Sequence, residues 1–95
     1  MTETELARLH AIIEGRVQGV GFRMFVVDNA ALLGVTGWVR NRYVGDVELV
    51  AEGDRQTLGK LLNYLHVGPR AARVTNVEAD WQSASGEFSR FTVRY

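Results

Sequence analysis

The chain contains no cysteine, and only one of its 95 residues is proline. The absence of cysteine excludes disulfides, thiolate metal ligands and a cysteine nucleophile. The two histidines, His10 and His66, are far apart in the sequence and lack the spacing of a metal-binding pair, so we expect no metal site. The hydrophobic content of 46% is ordinary for a globular domain.

The sequence also lacks an excess of either charge, because eleven basic residues balance eleven acidic ones. Proteins that bind nucleic acid or anionic membranes generally carry a basic surplus, so we expect neither as a partner. No apolar run is long enough to span a membrane, and the acidic segment 1–5 is unlike a signal peptide. We therefore expect a monomeric, cytoplasmic protein with one domain over residues 1–95, in which residues 1–7 form a flexible lead-in.

Hydrophobic periodicity predicts the order β-α-β-β-α-β, followed by one further strand. The predicted elements are strands at 9–14, 36–42, 47–52, 77–82 and 91–95 and helices at 22–33 and 54–67. Val74 is out of phase with the fourth strand, which indicates a bulge or a later start. Right-handed crossovers and a central hairpin predict a ferredoxin-like α+β sandwich, in which both helices cover one face of an antiparallel sheet.

A glycine-punctuated stretch, residues 15–23, connects the first strand to the first helix. Glycines let successive backbone N–H groups turn toward one oxyanion, and a helix start adds unpaired N–H groups. Arg23, in the first turn of the helix, carries a planar fork of donors that fits phosphate. The same glycines would also serve a tight turn with no ligand, and spacing alone does not decide between the two.

Two stretches resemble the acylphosphatase family, small enzymes that hydrolyse carboxyl-phosphate anhydrides. The first is Gly-Arg-Val-Gln-Gly-Val-Gly-Phe-Arg at 15–23, and the second is Gly-Trp-Val-Arg-Asn at 37–41, followed by Gly45, Val47 and Glu48. The resemblance extends from about Leu9 to Tyr95. Val44 departs from it, because the family pattern has aspartate there, and we expect this change to affect the geometry of the hairpin turn more than the chemistry.

The resemblance implies roles for particular residues. The substrate phosphate would be bound by the loop, with Arg23 also acting in catalysis; the residues concerned are Val17, Gln18, Gly19, Val20, Gly21, Phe22 and Arg23. Asn41 would orient the attacking water, since its amide can both accept and donate hydrogen bonds. The implied substrate is a small acyl phosphate and the products are a carboxylate and inorganic phosphate, with no cofactor and no metal ion.

Two other functions are compatible with the same fold. One is a non-catalytic anion-binding module, or a domain of a larger carbamoyl-transfer protein; the end of the chain just after the last strand favours a free-standing enzyme. The other is an RNA-binding domain, which would need exposed aromatic and basic residues on the open face of the sheet. The acidic residues of the third strand disfavour it, and salt-dependent binding to single-stranded RNA would be its test.

Overall fold

The computed structural model describes residues 5–95. Five strands and two helices follow one another as the periodicity predicts. Their bounds are β1 (Leu6–Arg16), α1 (Phe22–Leu33), β2 (Thr36–Asn41), β3 (Val47–Asp54), α2 (Arg55–Val67), β4 (Arg73–Ser83) and β5 (Phe91–Val93). The predicted lead-in was too long, because β1 already begins at Leu6; residues 1–4 of that lead-in lie outside the described residues.

All five strands form one sheet in the order β4-β1-β3-β2-β5. The pairs β1–β3, β1–β4 and β2–β3 are antiparallel, which confirms the central plan. The predicted extra strand, β5, pairs with β2 in parallel, Trp38 opposite Thr92, so the five-stranded sheet as a whole is mixed. Alternation along three residues specifies which face a side chain occupies but not the direction of the neighbouring strand.

The hydrophobic core lies between one face of the sheet and both helices, which confirms the predicted layer arrangement. Helix α1 packs over β2 and β5, and α2 packs over β1, β3 and β4. The helices contribute apolar side chains at helical spacing and the strands at alternate positions. The buried core includes Leu9, Ala11, Ile13, Phe22, Val26, Ala30, Val39, Val47, Leu49, Leu58, Leu61 and Leu65.

The irregularity predicted near Val74 is a bulge in β4. Glu14 pairs with Asn76 while its neighbour Gly15 pairs with Val74, so Thr75 is the extra residue. Gly15 has a φ of +125°, and a Cβ built there would meet the carbonyl oxygen of Arg73 at 2.1 Å. The bulge therefore requires glycine at this position, just before the chain enters the loop.

Both helices have defined ends. The side chain of Asp54 caps α2 by accepting a hydrogen bond from the backbone N–H of Gln56, as predicted. Gly34 ends α1 in a left-handed conformation and donates to the carbonyls of Ala30 and Ala31. Within the described residues, neither helix has the length and apolar character needed to cross a membrane.

Candidate active site

A cavity of about 190 Å³ opens at the end of the sheet where β1 leads into α1. It is bounded by the glycine loop (residues 17–21), the first turn of α1 and the ends of β2 and β5. The residues that line it are Val17, Gly19, Gly21, Phe22, Arg23, Met24, Asn41, Val93 and Tyr95. Five of the seven loop residues predicted to bind phosphate are among them.

The glycine loop turns into α1 through left-handed backbone. Gly19 and Gly21 have φ values of +73° and +81°, and Gly21 is the residue that precedes the helix. Because Gly21 carries no side chain, the first N–H groups of α1 have no side-chain cap. These groups form the positive end of the helix dipole, and the residues of this first turn, Phe22, Arg23 and Met24, line the cavity, an arrangement that favours an anion.

Arg23 lies in the first turn of α1 and lines the cavity. Its guanidinium carbon is 5.3 Å from the centre of the Tyr95 ring, in a cation–π contact. Among the ion pairs between residues 5–95, none includes Arg23. Its charge is therefore not matched by a carboxylate in this part of the chain.

Asn41, the last residue of β2, lines the same cavity from the opposite side. Its side-chain oxygen, Oδ1, is buried yet accepts no hydrogen bond from any described residue. Buried acceptors are nearly always paired, so an unpaired one beside a cavity requires an explanation. It can accept a hydrogen bond from a small donor such as water held in the cavity.

The side chains of Gln18 and Val20 do not line the cavity. Gln18 turns toward the β2–β3 hairpin, where its Nε2 donates to the backbone oxygens of Arg42 at 2.7 Å and of Asp46 at 2.9 Å. Val20 packs partly buried against the core. Any contact of these two residues with a ligand in the cavity must come from the backbone.

The β2–β3 turn closes without help from Val44, whose side chain is 78% exposed. The N–H of Arg42 donates to the Asp46 carbonyl at 2.8 Å, and the Arg42 guanidinium makes two hydrogen bonds of 2.7 Å to the Asp46 carboxylate. These bonds lower the pKa of Asp46 below its usual value despite its burial. The family pattern has an aspartate at the position of Val44. In this chain, the ion pair between Arg42 and Asp46 holds the turn.

Two arginines near the cavity, Arg40 and Arg42, are both ion-paired. Arg40 bonds Glu48 at 2.8 Å on the open face of the sheet, and His10 bonds the other oxygen of the same carboxylate at 2.7 Å. Burial raises the pKa of Glu48, but the hydrogen bonds from His10 and Arg40 outweigh burial and lower it. Arg16 is exposed.

Three residues that line the cavity were not predicted from the sequence: Met24, Val93 and Tyr95. Met24 follows Arg23 directly, so its position beside the cavity could have been expected from the helix start. Val93 and Tyr95 reach the cavity because β5 lies beside β2 in parallel, a pairing that the sequence did not indicate. No local signal could have identified them.

The open face of the sheet does carry one aromatic side chain among basic ones. Trp38 lies between Arg40 and Arg94, whose guanidinium carbons are 5.4 and 4.5 Å from the ring centre. Glu48 neutralises part of this charge through its bonds to Arg40 and His10.

Within residues 5–95, no group of three or more His, Asp or Glu side chains could hold a metal ion.

The fold places the chain in a class of compact ferredoxin-like α+β proteins, and solved structures share it closely. An acylphosphatase from Bacillus subtilis matches with a TM-score of 0.91 and 35% identity, covering 94% of this chain and 99% of that one. An acylphosphatase from Coxiella burnetii matches with a TM-score of 0.89 and 41% identity, covering 99% of this chain and all of that one.

Sequence comparison gives the family itself. The acylphosphatase family model matches residues 9–93. An acylphosphatase of Pelotomaculum thermopropionicum is 51% identical over 89 residues, which are 94% of this chain and 97% of the relative. The chain belongs to the acylphosphatase family, as the two motifs indicated, and hydrolysis of acyl phosphates is the activity known for that family.

Proposed function

We propose that this protein hydrolyses the carboxyl-phosphate bond of small acyl phosphates without a metal ion, by attack of water on phosphorus. The observation that carries the proposal is the buried Oδ1 of Asn41, which accepts no hydrogen bond from residues 5–95 and belongs to the same cavity as Arg23 and the glycine loop. One side of the cavity offers donors to an anion, and the other offers an acceptor to a water molecule.

In this proposal the phosphate binds to the N–H groups of the loop and of the helix start and to the guanidinium of Arg23. These donors are fixed before the substrate arrives, so they stabilise the charge that shifts onto the phosphoryl oxygens during transfer. Phe22 and Val17 form an apolar wall, which excludes bulk water from the phosphate-binding side of the cavity.

Asn41 accepts a hydrogen bond from the attacking water and orients it toward phosphorus. The bond from phosphorus to the carboxyl oxygen breaks, and the carboxylate leaves with the electron pair. Since a carboxylate is a weak base, no general acid has to protonate it. One proton of the water passes to a phosphate oxygen, so the reaction yields a carboxylate and inorganic phosphate without a covalent enzyme intermediate or a metal ion.

The test is the hydrolysis of benzoyl phosphate with and without a chelator, by the wild type and Asn41→Ala. We expect turnover that the chelator leaves unchanged and that Asn41→Ala reduces by a factor of 100 or more, as expected for loss of a positioning group. Inhibition by inorganic phosphate should be retained in Asn41→Ala. The matched control is Asn63→Ala, at an exposed position of α2.

Full turnover by Asn41→Ala would contradict the water-orienting role. Phosphate binding without any turnover in the wild type would instead indicate the non-catalytic anion-binding module.

A further inference from the structure

Gln18 is the residue of the glycine loop whose side chain leaves the loop. Its Nε2 bonds two backbone oxygens of the β2–β3 hairpin, those of Arg42 and Asp46, across 24 and 28 residues of sequence. Both hydrogens of the amide are used, at 2.7 and 2.9 Å. The two neighbours of Gln18, Val17 and Gly19, are walls of the cavity. The side chain therefore joins the anion-facing loop to the hairpin.

The two carbonyls that Gln18 bonds lie on either side of the turn that follows Asn41. Arg42 is the next residue after Asn41, and its N–H bonds the Asp46 carbonyl while its guanidinium bonds the Asp46 carboxylate. Asp46 is only 8% exposed. Gln18 thus bonds to a turn that is already closed by its own hydrogen bonds, and it fixes the loop relative to the turn as a unit.

The side-chain oxygen of Asn41, Oδ1, has no hydrogen-bond partner among residues 5–95. No hydrogen-bond donor in this part of the chain holds Oδ1 in the position from which it would orient the attacking water. Its place is set by the backbone of β2 and by the turn that follows. Gln18 bonds the carbonyl of Arg42, the residue next to Asn41, and so links the loop to the segment that carries Asn41.

We infer that Gln18 is a positioning residue, which holds Asn41 at the correct distance from the phosphate-binding loop through the Arg42 and Asp46 carbonyls. This inference rests on the proposed function of Asn41 and adds a role beyond phosphate binding for Gln18. Only a side chain with two N–H donors at this length can bond both oxygens. Glutamate has the same size but no donor when ionised, and methionine has similar length with neither charge nor donor.

The experiment is a double-mutant cycle in kcat between Gln18→Met and Asn41→Ala, with benzoyl phosphate as the substrate. In the wild-type background, Gln18→Met should lower kcat roughly ten- to hundredfold, since misplacement of a reacting group by about 1 Å has effects of that size. Inhibition by inorganic phosphate should change less than about threefold, well below that loss. In the Asn41→Ala background, Gln18→Met should leave the residual kcat nearly unchanged.

A purely structural role would give a different result. In that case the effects of the two substitutions on kcat would multiply, which would overturn the inference. Asp54→Ala is the matched control. It removes the cap of α2 at the other end of β3, so it should lower stability as the loss of the Gln18 hydrogen bonds does, but it should leave kcat unchanged. Gln18→Glu is the second variant, should Gln18→Met fail to fold; it should show the same loss of kcat and the same dependence on Asn41.

A readout that does not need turnover separates this inference from the proposed function. In a ¹H–¹⁵N spectrum, the side-chain amide signals of Asn41 should shift in Gln18→Met and stay in place in Asp54→Ala. If the wild type showed no turnover, the proposed function would be contradicted, and these signals would still test Gln18. Unshifted Asn41 signals in Gln18→Met would overturn the positioning role.

Discussion

Arg23 differs from the arginines around it in what surrounds its charge. Arg40 and Arg42 are held by Glu48 and Asp46, whereas Arg23 forms no ion pair with residues 5–95 and makes a cation–π contact with the ring of Tyr95. An arginine that already hydrogen-bonds a carboxylate has fewer N–H donors left for a ligand. An arginine stacked on an aromatic ring keeps its N–H groups available, because the contact involves the face of the guanidinium. The arrangement favours Arg23 as the cation that meets a phosphate.

Replacement of Arg23 by alanine should therefore weaken both binding and catalysis. We expect a loss in kcat/KM worth about 3 kcal/mol, the size found for removal of one donor to a transition-state oxyanion. Inhibition by inorganic phosphate should also weaken, in contrast to Asn41→Ala. The measurement is steady-state kinetics with phosphate as inhibitor, and Arg90→Ala, at an exposed position before β5, is the control. Unchanged phosphate inhibition in Arg23→Ala would contradict its role.

At the scale of elements, the site forms where β1 and β2 end and α1 begins. The loop after β1, the start of α1 and the last residue of β2 meet at one end of the sheet, and the segment after β5 adds Tyr95 from the side. The left-handed Gly21 leads the chain into α1 without a side-chain cap and lines the cavity itself. We therefore expect the conformation of this one glycine to control how well the helix start binds a ligand.

Gly21→Ala should cost about 1–2 kcal/mol of stability, because its φ of +81° is strained for any residue with a Cβ. A Cβ at this position would meet nothing within 4 Å, so the cost comes from the backbone alone. We expect weaker phosphate inhibition as the loop relaxes.

Gly34→Ala is the matched control for Gly21→Ala, with a φ of +74° and open space at the far end of the same helix. It should lose similar stability in urea unfolding and keep its phosphate inhibition. Equal effects of both variants on phosphate inhibition would mean that the loop conformation does not control binding.

The sequence predicted those parts of the site that leave a local pattern. The glycines at 15–21 and Asn41 stand in motifs, and the helix begins at Phe22 as periodicity indicated. The position of Tyr95 depends on the parallel pairing of a three-residue strand, and a short alternation carries no information on its neighbour. The partners of Gln18 likewise depend on contacts across more than 20 residues of sequence, which no local pattern encodes.

For the molecule as a whole, the end of the sheet away from the cavity carries a third buried acidic residue, after Asp46 and Glu48. Glu52 is 5% exposed and accepts hydrogen bonds from Arg8 and from the backbone N–H groups of Ser85 and Gly86. Burial raises the pKa of its carboxyl, but these bonds outweigh burial and lower the pKa to about 2. The charged carboxylate thereby joins β1 and β3 to the loop before β5.

This lowered pKa makes Glu52 a contributor to stability at neutral pH. Since the folded-state pKa lies below the ordinary value of 4.5, the contribution is complete above pH 4.5 and is lost as the pH falls toward 2. Glu52→Gln should lower the free energy of unfolding at pH 7 by about 3 kcal/mol, the order of magnitude that corresponds to a pKa lowered from 4.5 to about 2. The difference from the wild type should shrink between about pH 4.5 and 2.

Urea unfolding at several pH values measures both effects. Glu78→Gln, at an exposed position of β4, is the control and should change stability little at any pH. A difference between Glu52→Gln and the wild type that stayed constant from neutral to acid pH would mean that the charge of Glu52 does not stabilise the fold.

The most direct test of water attack on phosphorus is to follow the oxygen atom of water into the products of hydrolysis. Benzoyl phosphate hydrolysed in ¹⁸O-enriched water, and analysed by mass spectrometry, should yield labelled inorganic phosphate and unlabelled benzoate, because a water oriented by Asn41 attacks phosphorus. Label in the benzoate, above the level of the uncatalysed reaction, would mean attack on the carbonyl carbon and would contradict the proposed roles of Asn41 and the loop.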